Sequence, residues 1–177
     1  MELNKKFLKK IQSLKIYTDC FAKHSIAEYK SHYSDAKSFF NHFWNIFEAY
    51  ASSKNLNNQV PGDAFEIIFA FILDYEEIEI TSMDESIDGL SFVKPDFVVK
   101  KNNCFISCKT SLRERWKQAD WESIRFKEVF PDSKCYLLTN HYKEHLSLKQ
   151  KIPNLSIDQV FYSASEDINN LVKKIKE

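Results

Sequence analysis

The segment PDFVVKKNNCFISCK at residues 95–109 contains two apolar runs on either side of a polar turn. Both runs are rich in β-branched and aromatic residues, and the KNN sequence between them is typical of a hairpin connection. The segment therefore predicts two antiparallel strands. Because Asp96 begins the first strand and Lys109 ends the second, their pairing brings the two side chains to the same end of a sheet.

Helical and extended patterns alternate on both sides of this hairpin. Ala64 to Leu73 is almost wholly apolar and predicts a buried helix, with Asp63 as its N-cap. Apolar residues at helical spacing predict two or three amphipathic helices within residues 2–53. Strands are predicted at 77–81, 96–100, 104–109, 135–139 and 159–163, and further helices at 112–129, 142–149 and from 166 onward. This order predicts a mixed sheet flanked by helices, an α/β (α+β) architecture.

The length and composition predict one domain. With 177 residues, 44% of them hydrophobic, the chain can bury a core but leaves no room for a second catalytic unit. We expect a single domain over residues 1–177, with a helical N-terminal subregion at 1–55 and the catalytic core at 62–177. Only two glycines occur, which excludes a glycine-rich phosphate loop and a dinucleotide-binding fingerprint.

The sequence carries no recognisable export or membrane signal. Its lysine-rich start lacks the apolar core of a secretory signal, and no run of about 18 apolar residues could span a bilayer. We therefore expect a cytoplasmic protein with no membrane partner, whose four cysteines stay free in a reducing compartment. A zinc site built on Cys104 and Cys108 is disfavoured, because strand geometry separates their backbones by about 13 Å.

The formal net charge of zero hides a segregation of charge along the chain. No lysine or arginine lies between Lys54 and Lys94, whereas residues 109–127 contain six basic and three acidic side chains. A basic strip beside an acidic one can hold DNA even when the total charge cancels. The alternative is that both segments are ordinary solvated faces, which is the commoner role of such charges.

Three charged residues have the types that phosphodiester hydrolysis requires. That reaction needs carboxylates to hold a hard divalent cation and a positive charge near the scissile phosphate. Asp96 and Lys109 supply one of each. Glu122 follows thirteen residues after Lys109 and shares a helix face with Arg115 and Ala119. If that face turns toward the sheet, Glu122 meets Asp96 across one ion, for which Mg²⁺ is best suited.

This order of motifs resembles the PD-(D/E)XK nucleases. Pro95 and Asp96 are followed by Ser107 and Lys109 in a Ser-x-Lys strand end, and then by a glutamate in the next helix. The standard pattern has an acid at position 107, where this chain has a serine. The chain therefore resembles the variant of the family in which the acid has moved downstream, here to Glu122.

The run CKTSLRERWKQ at residues 108–118 is similar to the type II restriction endonucleases of the EcoRII-related group. The resemblance covers roughly residues 62–125 and leaves out the N-terminal helices. It implies a restriction-endonuclease-like fold, double-stranded DNA as the substrate, and Mg²⁺ as the cofactor with Mn²⁺ as a substitute.

The resemblance also implies roles for individual residues. Asp96, Lys109 and Glu122 are implied as catalytic, with Asp96 and Glu122 holding the metal. Glu66 resembles an acid that many of these nucleases place on the helix ahead of the sheet, which makes it a further candidate metal ligand. Taken singly, Asp96 is more often a turn residue and Lys109 a solvated strand end, and only their combination with Glu122 favours catalysis. Glu66 could equally form a structural ion pair or emerge at the surface.

A second implied role is the reading of DNA bases by Arg113, Glu114 and Arg115. Arginine forms a bidentate pair with guanine O6 and N7 in the major groove, and a carboxylate accepts from the cytosine amino group. These residue types therefore suit a site that contains G·C pairs. Lys117, in the same basic strip, is expected to contact DNA as well.

The three tryptophans, Trp44, Trp116 and Trp121, are expected to anchor the core. Large aromatic side chains serve in packing more often than as platforms for stacked bases. Trp44 could stack on a displaced base, but the core role is favoured.

The function expected from the resemblance is that of a homodimeric type II restriction endonuclease, which cuts a short palindromic site in double-stranded DNA. The dimer is expected because two-fold symmetric DNA is matched by a two-fold symmetric protein. A cognate DNA methyltransferase is expected as the genetic partner. Two alternatives stay open: a structure-selective repair or junction nuclease of the same fold, and a DNA-binding protein without catalytic activity.

Overall fold

The computed structural model describes residues 9–24, 26, 32–54, 56, 60–82, 90 and 93–177. Within these residues, a five-stranded mixed sheet lies between two layers of helices. The strands are β1 (Ile80–Ser82), β2 (Phe97–Val99), β3 (Cys104–Lys109), β4 (Cys135–Thr139) and β5 (Gln159–Tyr162). The α-helices are α1 (Ala36–Ser52), α2 (Val60–Tyr75), α3 (Arg115–Val129), α4 (Tyr142–Lys149) and α5 (Glu166–Lys176). Shorter helical turns lie at Tyr17–Phe21, Ala22–His24 and Ile152–Asn154.

The strands lie side by side in chain order, β1-β2-β3-β4-β5. The first three are antiparallel and the last three are parallel, so the predicted mixed sheet is confirmed. Parallel neighbours require crossovers, which α3 provides between β3 and β4 and α4 between β4 and β5. Phe97 pairs with Ile106 in the hairpin. Asp96, one residue before β2, is therefore placed opposite the end of β3.

The two faces of the sheet are covered by different helices. On one face, α1, α2 and α5 share a core with the strands, and the rings of Phe69 on α2 and Phe97 on β2 lie 5.4 Å apart. On the other face, α3 packs against β3 through Phe126 and Phe105, whose rings lie 5.3 Å apart. All six residues of β3 are buried, as expected for a central strand covered on both sides.

The predicted N-terminal and core subregions share one hydrophobic cluster. Phe40 on α1 packs edge-on against Phe65 on α2 at 5.3 Å, and both belong to the cluster that continues onto the sheet. α1 begins with Asp35 as its N-cap, whose Oδ1 accepts from the Ser38 amide at 2.7 Å. Helices are predicted within residues 2–53, but residues 2–8, 25 and 27–31 lie outside the part of the chain that the structure describes.

Most element predictions agree with the structure, and the differences occur at boundaries. β3, β4 and α4 have their predicted bounds, and α5 begins at Glu166 as predicted. α2 begins at Val60, so the prediction of Asp63 as its N-cap is wrong; Pro61 fits the first turn, where its missing N–H group is not needed. β1 lies at Ile80–Ser82 rather than at 77–81.

The start of α3 is also later than predicted. The helix begins at Arg115 rather than at Leu112, which leaves Arg113 and Glu114 in the turn before it. Of the tryptophans, Trp44 packs against the large core cluster and Trp116 is half-buried against a smaller one. The expectation that Trp121 anchors the core is wrong, because its side chain is 44% exposed.

All four cysteines are buried and free, which agrees with the prediction of no disulfides. In the part of the chain that the structure describes, no helix is both long enough and apolar enough to cross a membrane.

Candidate active site

Asp96 and Lys109 form a buried ion pair at the end of β3. Lys109 Nζ donates to Asp96 Oδ2 at 2.8 Å, and each residue is only 6% exposed. The same oxygen accepts from the Ser107 hydroxyl at 3.1 Å and from the Cys108 amide at 2.5 Å. The hairpin therefore brings the aspartate and the lysine together, and three donors on one oxygen fix the orientation of the carboxylate.

Ser107 contributes a contact that the sequence reasoning missed. At the sequence level it only marks the place where an acid is absent. In the structure it lies two residues before Lys109 on the same face of β3, so both side chains can reach Asp96. The alternation of side chains along a strand was the signal that could have identified this donor.

Glu122 turns toward the sheet. It lies on α3 and is 5% exposed, and its Oε1 accepts from the side-chain amide Nε2 of Gln118, one helical turn earlier, at 2.8 Å. Ala119 shares its buried face, whereas Arg115, at the start of the helix, is exposed. Gln118 was not singled out from the sequence, although its spacing of four residues is typical of helical side-chain pairs.

Electrostatic effects connect Glu122 to the ion pair. Burial is the main cause that raises the pKa of Glu122; the hydrogen bond from Gln118 and the charge of Lys109 oppose this, and the charge of Asp96 adds to it. Burial by itself lowers the pKa of Lys109, but the charge and hydrogen bond of Asp96, with Cys108 and Glu122, raise it above its ordinary value. Lys109 is therefore a cation at neutral pH.

Glu66 approaches from the opposite side of the sheet. It is half-buried on α2, and its charge contributes, after burial and Asp96, to raising the pKa of Cys108. Cys108 belongs to the cluster on the α2 face of β3, whereas the neighbouring Lys109 side chain points to the other face. The structure thus groups Asp96, Lys109 and Glu122, and it places Glu66 on α2, near enough for its charge to act on Cys108.

The two carboxylates fit part of the donor set that Mg²⁺ prefers. Among the described residues, no three His, Cys, Asp or Glu side chains are grouped closely enough to hold a metal ion. Mg²⁺ commonly binds through one or two carboxylates and takes its remaining ligands from water and substrate phosphates. Asp96, whose three contacts all use Oδ2, and Glu122 fit that donor set.

The predicted base readers lie where β3 leads into α3: Arg113 and Glu114 in the connecting turn, and Arg115 at the start of the helix. Arg113, Glu114, Arg115 and Lys117 are all exposed. Arg113 has a positive φ of 31°, a backbone conformation that side-chain-bearing residues rarely adopt. Lys117 forms an ion pair with Glu114, so two of the four are paired with each other.

One solved structure, described as "Restriction endonuclease PspGI-substrate DNA complex", resembles this chain with a TM-score of 0.50 and 20% sequence identity. The match covers 77% of this chain and 62% of that chain, less than two thirds of its length. The chain has a restriction-endonuclease fold. No family model matches it, and no curated protein matches its sequence. The fold prediction, a mixed sheet flanked by helices of the restriction-endonuclease type, is therefore confirmed.

Proposed function

We propose that this protein is a Mg²⁺-dependent type II restriction endonuclease that hydrolyses double-stranded DNA at a short palindromic site containing G·C pairs. The observation that carries the proposal is the buried pair of Asp96 and Lys109, with Glu122 turned toward it from α3. Charged groups are costly to bury, so their convergence at one end of a sheet points to a function that uses them.

Each side chain has a role that follows from its chemistry. Asp96 and Glu122 would hold Mg²⁺, which when bound polarises the scissile phosphate and offsets its charge. Lys109 orients the attacking water and stabilises the negative charge that develops on the phosphate oxygens. As the new bond from water to phosphorus forms, the bond to the leaving sugar oxygen breaks; the attacking water releases a proton to solvent, and the leaving oxygen takes one up from solvent. Asp96 Oδ2 keeps the Lys109 ammonium in place throughout.

The exposed turn before α3 supports a role in base recognition. Arg113, Glu114 and Arg115 are exposed and follow directly from the strand that carries Lys109. Groups that read bases would therefore lie close to the group that acts on the phosphate. The similar structure, that of PspGI, is a complex with substrate DNA, and this DNA binding is a property of PspGI. We propose double-stranded DNA as the partner of this chain as well.

We also propose a homodimer and a cognate methyltransferase. One active site cuts one strand, so cleavage of both strands at a palindrome is matched by two copies related by a two-fold axis. A nuclease of this kind requires host sites to be protected, for which methylation of the same sequence is the expected means.

The experiment is digestion of unmethylated plasmid DNA with Mg²⁺, with Mn²⁺ and with a chelator, followed by sequencing of the new ends. We expect discrete fragments whose ends share one short palindrome, and no cutting with chelator. Cutting confined to branched or mismatched DNA would instead support the repair nuclease. Tight binding without cutting in either metal would support the inactive DNA-binding protein.

A further inference from the structure

Glu144 on α4 makes contacts to the turn that carries the proposed base readers. Its Oε2 accepts from the Leu112 amide at 2.5 Å and lies 3.3 Å from the Ser111 hydroxyl oxygen. The Arg113 amide contributes to lowering the pKa of this carboxylate. One side chain from a separate helix thus holds two consecutive residues of the turn, directly before Arg113.

The turn needs such a support. The φ of 31° at Arg113 is unfavourable for a residue with a side chain, and a conformation of this kind persists only where its surroundings enforce it. Leu112 is buried and anchors the turn through its side chain, but Arg113 is exposed. Contacts to the backbone therefore have to hold the turn, and Glu144 provides one at Leu112, the residue directly before Arg113.

The charge of Glu144 suits this role. Burial by itself raises the pKa of Glu144, but hydrogen bonds from the Leu112 and Arg113 amides, with the charge of His141 and the Ser111 hydroxyl, lower it below its ordinary value. An ionised carboxylate accepts stronger hydrogen bonds from backbone amides than a neutral group does. Glu144 is therefore ionised at neutral pH and bound to the turn.

The exposed side of the turn borders a small cleft. Arg113, Trp116, Glu144 and Lys151 line a cleft of about 110 Å³ beside the turn. Lys151 Nζ lies 5.3 Å from the centre of the Trp116 ring. The outer side of the turn is thus open and bordered by basic groups, while Glu144 holds it from the α4 side.

We propose that Glu144 is a positioning residue for sequence discrimination, which presents Arg113 to DNA in one fixed backbone conformation. This inference rests on the proposed function. Without Glu144 the turn samples several conformations, so contacts to the cognate bases cost the entropy of ordering it, whereas a changed site that does not order the turn is spared that cost. Correct and incorrect sites then differ less in affinity. The Asp96–Lys109 pair does not depend on this contact, because its own hydrogen bonds come from the hairpin.

The test compares E144A and E144Q with a matched control, D158N. Asp158 also accepts a backbone amide, that of Cys135, at 2.8 Å, and its side chain is 24% exposed against 25% for Glu144. It directly precedes β5 and contacts the first residue of β4, at the opposite end of β4 from the proposed active site. Loss of either carboxylate removes a tertiary contact, but only one of the two contacts lies at the turn.

The readout is kcat and KM for the cognate site and for sites with one base pair changed. E144A should reduce the ratio of kcat/KM between cognate and changed sites by roughly tenfold or more, with most of the change in KM. E144Q, which keeps an acceptor oxygen but loses the charge that strengthens these hydrogen bonds, should give a ratio between those of E144A and wild type. Amide exchange at Leu112 and Arg113 should accelerate in E144A and not in D158N.

Two results would overturn the inference. In the first, the ratio of kcat/KM between cognate and changed sites is as high in E144A as in D158N. The other is a ratio retained in E144A while kcat falls equally on every site, which indicates a structural role alone. If E144A does not fold, E144Q decides: a ratio and amide exchange identical to wild type contradict the inference. Failure of the wild type to cut any DNA would refute the proposed function itself, and the inference with it.

Discussion

Lys109 Nζ lies 2.8 Å from Asp96 Oδ2, and both residues are almost fully buried at the end of β3. A buried ion pair stabilises a fold only while both partners are present, because removal of one leaves an uncompensated charge out of water. The pair therefore has consequences for stability as well as for the proposed chemistry, and the two can be measured separately.

Lys109→Met should lower the free energy of unfolding by about 3–5 kcal/mol, because it leaves the Asp96 carboxylate buried without its cation. The double variant D96N/K109M should recover most of that loss, since neither charge remains. Urea unfolding at pH 7 measures both values. The control is Lys100→Met, which removes an exposed ion pair with Glu79 and should change stability by less than about 1 kcal/mol. An equally small effect of Lys109→Met would contradict the burial of the pair.

Glu122→Gln should raise the metal-free thermal stability at pH 7 and abolish cutting. The raised pKa of Glu122 means that its ionised form is disfavoured in the folded protein, so a neutral replacement removes that penalty. The new amide oxygen can still accept from Gln118. Thermal unfolding with and without Mg²⁺ is the measurement, and Mg²⁺ should stabilise wild type more than the variant. Glu128→Gln, at an exposed position on α3, is the control.

Glu122 should also make both stability and cleavage depend on pH. Because the folded pKa of Glu122 is raised, its stabilising contribution is fully present below its unfolded pKa and is lost as pH rises through its folded pKa. Cleavage, which needs the ionised form, should rise over that interval. The stability difference between Glu122→Gln and wild type, measured from pH 4 to pH 8, should therefore grow with pH and then level off. A difference that shrinks with rising pH would contradict the burial of this carboxylate.

Arg115→Ala and Lys117→Ala should affect DNA binding in different ways: the first should reduce sequence discrimination, and the second should reduce affinity for all sequences. Loss of an arginine that contacts guanine costs about 1–3 kcal/mol at one position of the site and relaxes discrimination there. Loss of a lysine that contacts phosphate weakens binding to all sequences and reduces the slope of log K against log salt by about 1. Binding titrations at several salt concentrations separate the two. Lys134→Ala, whose side chain is 62% exposed beside Asp158, should leave both quantities unchanged.

The hairpin and its charged end could be predicted from the sequence because they depend on local signals. Two apolar runs around a polar turn specify the pairing of β2 and β3, and the pairing alone determines that Asp96 and Lys109 meet. The sequence predicts which residues share a helix face with Glu122, but not whether that face points toward the sheet. The burial of Glu122 could therefore be predicted only on the assumption that it does.

Other features depend on contacts between distant segments. The later start of α3 accompanies the unusual backbone of Arg113, and the adjacent Leu112 amide is held by Glu144 from another helix. The exposure of Trp121 follows from the rotation of α3 that buries Glu122 one residue later. Neither the rotation nor the contact of Glu144 is encoded in the spacing of residues within α3.

The central claim is that Asp96, Lys109 and Glu122 form a nuclease site, and the most direct test is the cleavage rate of Lys109→Met on plasmid DNA with Mg²⁺. Binding to the cleaved sequence, measured in parallel, ensures that the variant is folded and engaged with DNA. We expect cleavage to fall by about 10²–10³-fold or more while binding persists, because a positive charge is removed from the developing negative charge on the phosphate. Cleavage at the wild-type rate would contradict the account.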